Sequence, residues 1–226
     1  MPWFHTSEAG FRYAAVLVLT ATVLLFTIAA PEGRLTNMIV VLLMGCMLLA
    51  VAITSGAPKR TRNFSVALTI FALGIASGLV GSGEVSKGAT FVISGVMAMI
   101  ALPALARGLV RLLRAKGVTV QAVMGALAIY LLIAVVFAYV VGAVAELTNG
   151  PYFAQAGKGT QSQRAYFSVT ILTTTGLGDL TPVTALGRAL TVVEELFGQL
   201  YLVTIVSLLV ANVGRRPSRG GGADPA

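Results

Sequence analysis

Six long apolar stretches govern what this chain can fold into: roughly Tyr13 to Ala30, Asn37 to Thr54, Phe64 to Gly81, Ala89 to Ala106, Val118 to Ala145 and Ala189 to Val213. Each is bounded by charges, Gly or Pro and has the length a helix needs to cross hydrocarbon. A soluble fold fails on composition, because 57% hydrophobic residues against 11% charged ones leave too few charges to solvate a surface. The expected fold class is all-α, a polytopic membrane protein with six transmembrane helices. Between the fifth and sixth stretches, Glu146 to Arg188 is part polar and part apolar. Its apolar piece, Ala165 to Leu172, is too short to cross a bilayer, so it dips in and returns or lies outside.

The net charge of +8 reads as loop bias rather than as a nucleic-acid surface, since the basic residues form no long run with interleaved aromatics. With the N-terminus inside, Arg12, Lys59, Arg60, Arg62, Arg107, Arg111, Arg114, Lys116, Arg215, Arg216 and Arg219 fall on the cytoplasmic side, 11 in all. Arg34, Lys87, Lys158, Arg164 and Arg188, 5 in all, fall outside. Both termini are therefore expected in the cytoplasm of a cell bearing the protein in its plasma or inner membrane. A cleaved leader is not expected, because only Arg12 precedes the first stretch and Ile28 occupies the minus-three position of a cut after Ala30. The single cysteine, Cys46, has no partner for an intrachain disulfide and reads as small apolar filler.

The chemistry concentrates in Arg164 to Arg188, RAYFSVTILTTTGLGDLTPVTALGR. A helix-length piece runs into three threonines, then Gly176, Leu177, Gly178 and Asp179, with Pro182 as a breaker. Backbone at membrane depth must satisfy its own polar groups unless it lines water or binds an ion. Glycines at alternate positions permit backbone angles that bulky residues resist, so successive carbonyls can turn to one side and replace the water shell of a cation.

This segment resembles the pore loop of the tetrameric potassium channels, whose filter follows a short helix. Thr174, Thr175, Gly176, Leu177, Gly178 and Asp179 fall on that pattern, and Leu180, Thr181 and Pro182 continue it in the bacterial manner. Gly187 and Arg188 stand where an outer Gly-Arg pair opens the inner helix, and Gly198 where the family carries a gating-hinge glycine. The resemblance covers about Val118 to Arg216 and implies a re-entrant pore helix from about Ser162 to Thr173, capped by Ser162 or Thr160. It implies K⁺ bound along Thr174, Thr175, Gly176, Leu177 and Gly178, a homotetramer in a lipid bilayer, no cofactor beyond the permeant ion, and no catalytic group. The expected organisation is a four-helix peripheral domain over 1–117, a pore domain over 118–214, and a disordered cytoplasmic tail over 215–226.

Departures from the family pattern set further expectations. Thr175 and Leu177 replace the usual Val and Tyr, which makes a weakly selective cation pore the alternative to a K⁺ channel. Leu177 and Phe167 lack the polar atoms that steady such a filter, leaving Tyr166 as the one substitute able to reach Asp179. Some relatives place a carboxylate behind the filter where this chain has Thr170. Glu194 or Glu195 is expected to take over that bracing role through Thr170 or Thr173, unless it pairs with Arg164 or Arg188 or reaches the outer vestibule.

Gly198 reads as a hinge or, failing that, as a point of close helix packing. Arg107, Arg111 and Arg114 do not form a voltage sensor, because Ala89 to Ala106 carries no charge. They are expected on an amphipathic segment lying along the inner membrane surface. A transporter would need a second interrupted helix in a matching position, and none is evident; a scaffold or regulatory subunit with a decayed filter is the remaining class. Trp3 and Tyr13 suit an interfacial belt, and His5 carries no metal-site spacing.

Overall fold

A computed structural model describes residues 11–77 and 83–212. Trp3, His5 and the tail from Arg215, with the expectations attached to them, lie outside those residues. The described residues form α1 (Phe11–Ala29), α2 (Arg34–Thr54), α3 (Lys59–Ala76), α4 (Gly83–Lys116), α5 (Val120–Leu147), α6 (Gln161–Leu172) and α7 (Ala185–Leu200). From α7 the chain continues through a wide π turn, Tyr201–Val206, into α8 (Ser207–Asn212). No named strand occurs among the described residues, and the all-α expectation holds.

Among the described residues, five helical stretches are long and apolar enough to cross a membrane: Arg12–Ala29, Arg34–Thr54, Gly88–Lys116, Val120–Leu147 and Ala185–Asn212. The third expected stretch falls short of that standard because α3 starts at Lys59, taking Lys59, Arg60 and Arg62 into its first turn. A second difference concerns Arg107 to Lys116. These residues form no separate surface helix but are the last turns of α4, which runs unbroken through Pro103.

α5 is the organising element, packed against α1, α4, α6 and α7. Its buried side carries small residues, among them Ala122, Gly125, Ala126 and Gly142, which let neighbouring backbones come close. At Gly125 an added Cβ would meet the Tyr13 ring at 2.7 Å, so Tyr13 is buried against α5 rather than standing in an exposed belt. Thr119 caps the start of α5 through the Ala122 N–H at 3.3 Å. Cys46 is exposed on α2, a correction to the filler reading.

α1 also touches α6 directly, the Ser162 hydroxyl donating to the Ile28 carbonyl at 2.6 Å. α1 therefore braces the short helix as well as the span before it, which α4 also packs against.

Candidate functional site

α6 has 12 residues, about 18 Å at 1.5 Å per residue. Its start is a full capping box: Thr160 accepts from the Gln163 N–H at 3.2 Å while the Gln163 side chain accepts from the Thr160 N–H at 2.8 Å. Of the two expected caps Thr160 is the one used, and Ser162 is spent on α1. At the other end the Tyr130 hydroxyl donates to the Leu172 carbonyl at 2.9 Å. The Thr174 N–H returns to Ile171 at 2.9 Å, and the Thr175 and Gly176 N–H groups return to the Thr170 carbonyl at 2.8 and 3.1 Å.

Beyond this anchor the backbone alternates in hand. Thr174, Gly176 and Gly178 have φ of 57°, 45° and 77°, while Thr175 and Leu177 between them are not left-handed. In an ordinary extended chain successive carbonyls point to opposite sides; alternating left- and right-handed residues turns them to the same side. Thr174 is the one non-glycine with positive φ among the described residues. For a β-branched residue that conformation costs roughly 1–2 kcal/mol, so the surrounding bonds must hold it.

The Thr175 hydroxyl is 2.9 Å from that of Thr173, which itself bonds the Val169 carbonyl at 2.8 Å. The extra hydroxyl at Thr175 is thus turned back onto α6. Thr173 to Asp179 are all exposed on the single chain.

Behind this loop lies a wall that the sequence reading missed. Tyr152, Phe153 and Phe167 are buried, with Phe153 edge-on to Tyr152 at 4.8 Å and to Phe167 at 5.0 Å. The segment carrying Tyr152 pairs with the far side of the loop. Val183 N–H donates to the Tyr152 carbonyl at 2.9 Å and Ala154 N–H to Thr181 at 3.0 Å. Gln155 accepts from the Thr181 N–H at 3.0 Å.

Two aromatics after Pro151 in an otherwise polar connection were the available signal. Phe167 lacks a polar donor but supplies a stacking surface. Tyr166 faces Asp179, which as a hydrogen-bond acceptor raises the phenol above its ordinary range.

Of the two carboxylates, Glu194 is fully buried and Glu195 is exposed. Glu194 does not bond Thr170 or Thr173, whose hydroxyls go to the Phe167 and Val169 carbonyls. Nor does it pair with Arg164 or Arg188. Arg164 is bound to Glu146 at 2.8 Å and lies 5.6 Å from the Phe91 ring centre, while Arg188 donates to the Pro182 and Val183 carbonyls at 3.4 and 3.2 Å. The neighbours of Glu194 are instead Ser168 and Tyr152. Burial, with the charge of Glu194 second, pushes the Tyr152 phenol up to about 12. The Tyr152 and Ser168 hydroxyls and both Glu194 oxygens are buried without a hydrogen-bond partner within the chain.

Gly198 brings α7 close against the end of α6. A Cβ there would overlap the Leu172 carbonyl oxygen and lie 3.0 Å from its carbon. The irregularity in the inner helix falls later, at Tyr201–Val206, where the Tyr201 hydroxyl donates to the Ala126 carbonyl at 2.9 Å.

With this geometry in view, comparison with protein-family models gives a match over residues 125–215 to the family described as ion channel. Over that stretch, which takes in most of α5, the short helix, the loop and the inner helix, the chain is similar to an ion-channel domain. The matched stretch includes the run from Thr174 to Asp179. The match covers less than half of the chain. Neither the curated proteins nor the solved structures include one that matches.

Proposed function

We propose that this protein is a K⁺ channel in which four copies surround one pore and the carbonyls of Thr174 to Gly178 line the filter. The observation that carries this reading is the alternation of backbone hand at Thr174, Gly176 and Gly178, because it turns successive carbonyls toward one side. α6 re-enters the membrane from outside, so that its C-terminal dipole faces the ion at the membrane centre. One chain supplies one wall, and a ring of carbonyls requires copies around an axis.

The inner helix supports assembly: Val192, Val193, Leu196, Phe197, Leu200 and Val203 are exposed on a single chain. Both termini are cytoplasmic in this reading. Tyr152, Ser168 and Glu194 brace the filter from behind, in place of the Thr170 contact expected at first.

A second reading, a weakly selective cation channel, is favoured by one feature. Leu177 carries no hydroxyl and is 65% exposed, so it offers its neighbours only apolar contact. Thr175 does not argue the same way, since its hydroxyl is bonded to Thr173. Purified protein in liposomes is expected to pass K⁺ faster than Na⁺ under matched gradients. Equal fluxes would select the second reading, and no flux of either ion would overturn both.

The peripheral helices bear on gating. Moving one charge through 100 mV is worth about 2.3 kcal/mol, and the stretch from Ala89 to Ala106 in α4 has no charge to move. Open probability is therefore expected to change little between −100 and +100 mV, two settings on the order of one such step either side of zero. A steep activation curve that flattens in Arg107→Gln would show that the last turns of α4 do sense the field.

A further inference from the structure

At the end of the bundle where α1 and α5 begin and α2 and α4 finish, the helices form an open cavity of about 290 Å³. Arg12, Tyr13, Ser55, Arg111, Leu112 and Lys116 are among its lining residues. Its floor depends on Gly108, where a Cβ would lie 2.9 Å from the Ser55 Cα and 3.2 Å from the Tyr13 hydroxyl. Without a side chain there, α1, α2 and α4 converge. Arg111 is set in place by donating one N–H to the Ser55 carbonyl at 3.0 Å, which leaves the rest of its five donors for other partners.

Among the described residues, no acidic side chain lines the cavity. Among the described residues, Glu32 follows α1, Glu84 opens α4 and Glu146 ends α5, all at the opposite end of the bundle. Lys59, Arg60 and Arg62, at the start of α3, add positive charge near the end of α2. Three cations, one from α1 and two from α4, thus line a concave space, with a tyrosine and a leucine beside them. A flat carboxylate suits a single guanidinium fork, whereas three separated cations suit a tetrahedral group with several charged oxygens. The volume is close to the lower bound of small-molecule pockets, which favours an organic phosphate over a bare ion.

We propose that this cavity binds a phosphate-bearing anion, held by Arg12, Arg111 and Lys116, independently of whether the filter conducts. The chemistry is shared by a phospholipid headgroup reaching in from the bilayer and by a soluble phosphomonoester, and basic pockets between membrane helices are suited to the former.

The test uses the full-length protein in detergent at constant ionic strength, titrated with short-chain phosphatidic acid, short-chain phosphatidylcholine and glycerol phosphate, with bound species weighed by native mass spectrometry. Phosphatidic acid is expected to bind, and each of Arg12→Ala and Lys116→Ala to weaken it about fivefold, while Arg114→Ala, outside the lining, leaves it unchanged. Binding of phosphatidic acid without glycerol phosphate assigns the site to a lipid; binding of both assigns it to the phosphate group alone. Lys116 makes no described hydrogen bond whose loss would disturb folding, so its variant reports on the site even if Arg111→Ala destabilises the bundle. Absence of binding, equal binding of phosphatidylcholine, or an equal loss in Arg114→Ala would overturn the proposal.

Discussion

Gly178→Ala is expected to abolish K⁺ flux while membrane insertion and assembly persist. Space is not the reason, because nothing lies within 4 Å of a Cβ at Gly178. The reason is conformational: φ there is 77°, a region that costs an L-residue roughly 1–2 kcal/mol. Thr174 sustains a similar angle, but its own N–H and the two that follow are tied back to α6. Gly178 has no such backbone anchor, so an alanine relaxes toward negative φ and swings a carbonyl off the axis. In a four-fold ring the preference is counted in every copy, about 4–8 kcal/mol in total. Flux from liposomes measured beside the oligomer band on a native gel separates conduction from assembly. Normal conductance in the variant would refute the carbonyl filter.

How much of this was legible in the sequence depends on the range of the interaction. The apolar stretches and the Thr-Thr-Gly-Leu-Gly-Asp run are local patterns, and they placed α1, α2, α5, the inner helix and the pore-type loop close to where they lie. What escaped was long-range. Tyr152 and Phe153 sit in a polar connection, and nothing nearby in sequence indicates that they pack behind Phe167 and pair with Thr181 and Val183 across the loop.

The same limit explains Glu194. Its unusual position in a span was visible, but whether it faces Thr170, Ser168 or an arginine depends on helix rotation, which one-dimensional spacing does not determine. α3 differs for another reason: charge does not stop a helix, so Lys59, Arg60 and Arg62 were taken into its first turn while the apolar reading began at Phe64. Likewise α4 continued past Ala106 because Arg107 to Lys116 are mostly good helix formers and Gly108 alone does not end the helix, which stops before Gly117, where φ is 69°.

Gly198→Ala decides between bending and packing in the inner helix, and it is expected to lower both thermal stability and unit conductance. In a free helix the change would stabilise by about 1 kcal/mol through propensity alone. Here the new methyl meets the Leu172 carbonyl oxygen, a backbone atom at the junction of α6 with the filter that is already fixed by the Tyr130 hydroxyl. Neither the helix end nor that carbonyl can yield as a flexible side chain would, and overpacking of this kind costs typically about 1–3 kcal/mol. The second effect exceeds the first over most of its range, and the strain falls on the residues that lead into Thr174.

A hinge predicts a different pattern: higher stability, lower open probability and an unchanged unit conductance. The wide turn at Tyr201–Val206 offers the inner helix an irregular segment of its own, so a bend does not require Gly198. Tyr130→Phe supplies the companion measurement. It removes the bond to Leu172 without adding bulk and should shift stability in the same direction by about 0.5–1.5 kcal/mol. If Gly198→Ala raises the thermal midpoint and leaves unit conductance alone, the packing account fails and the hinge stands.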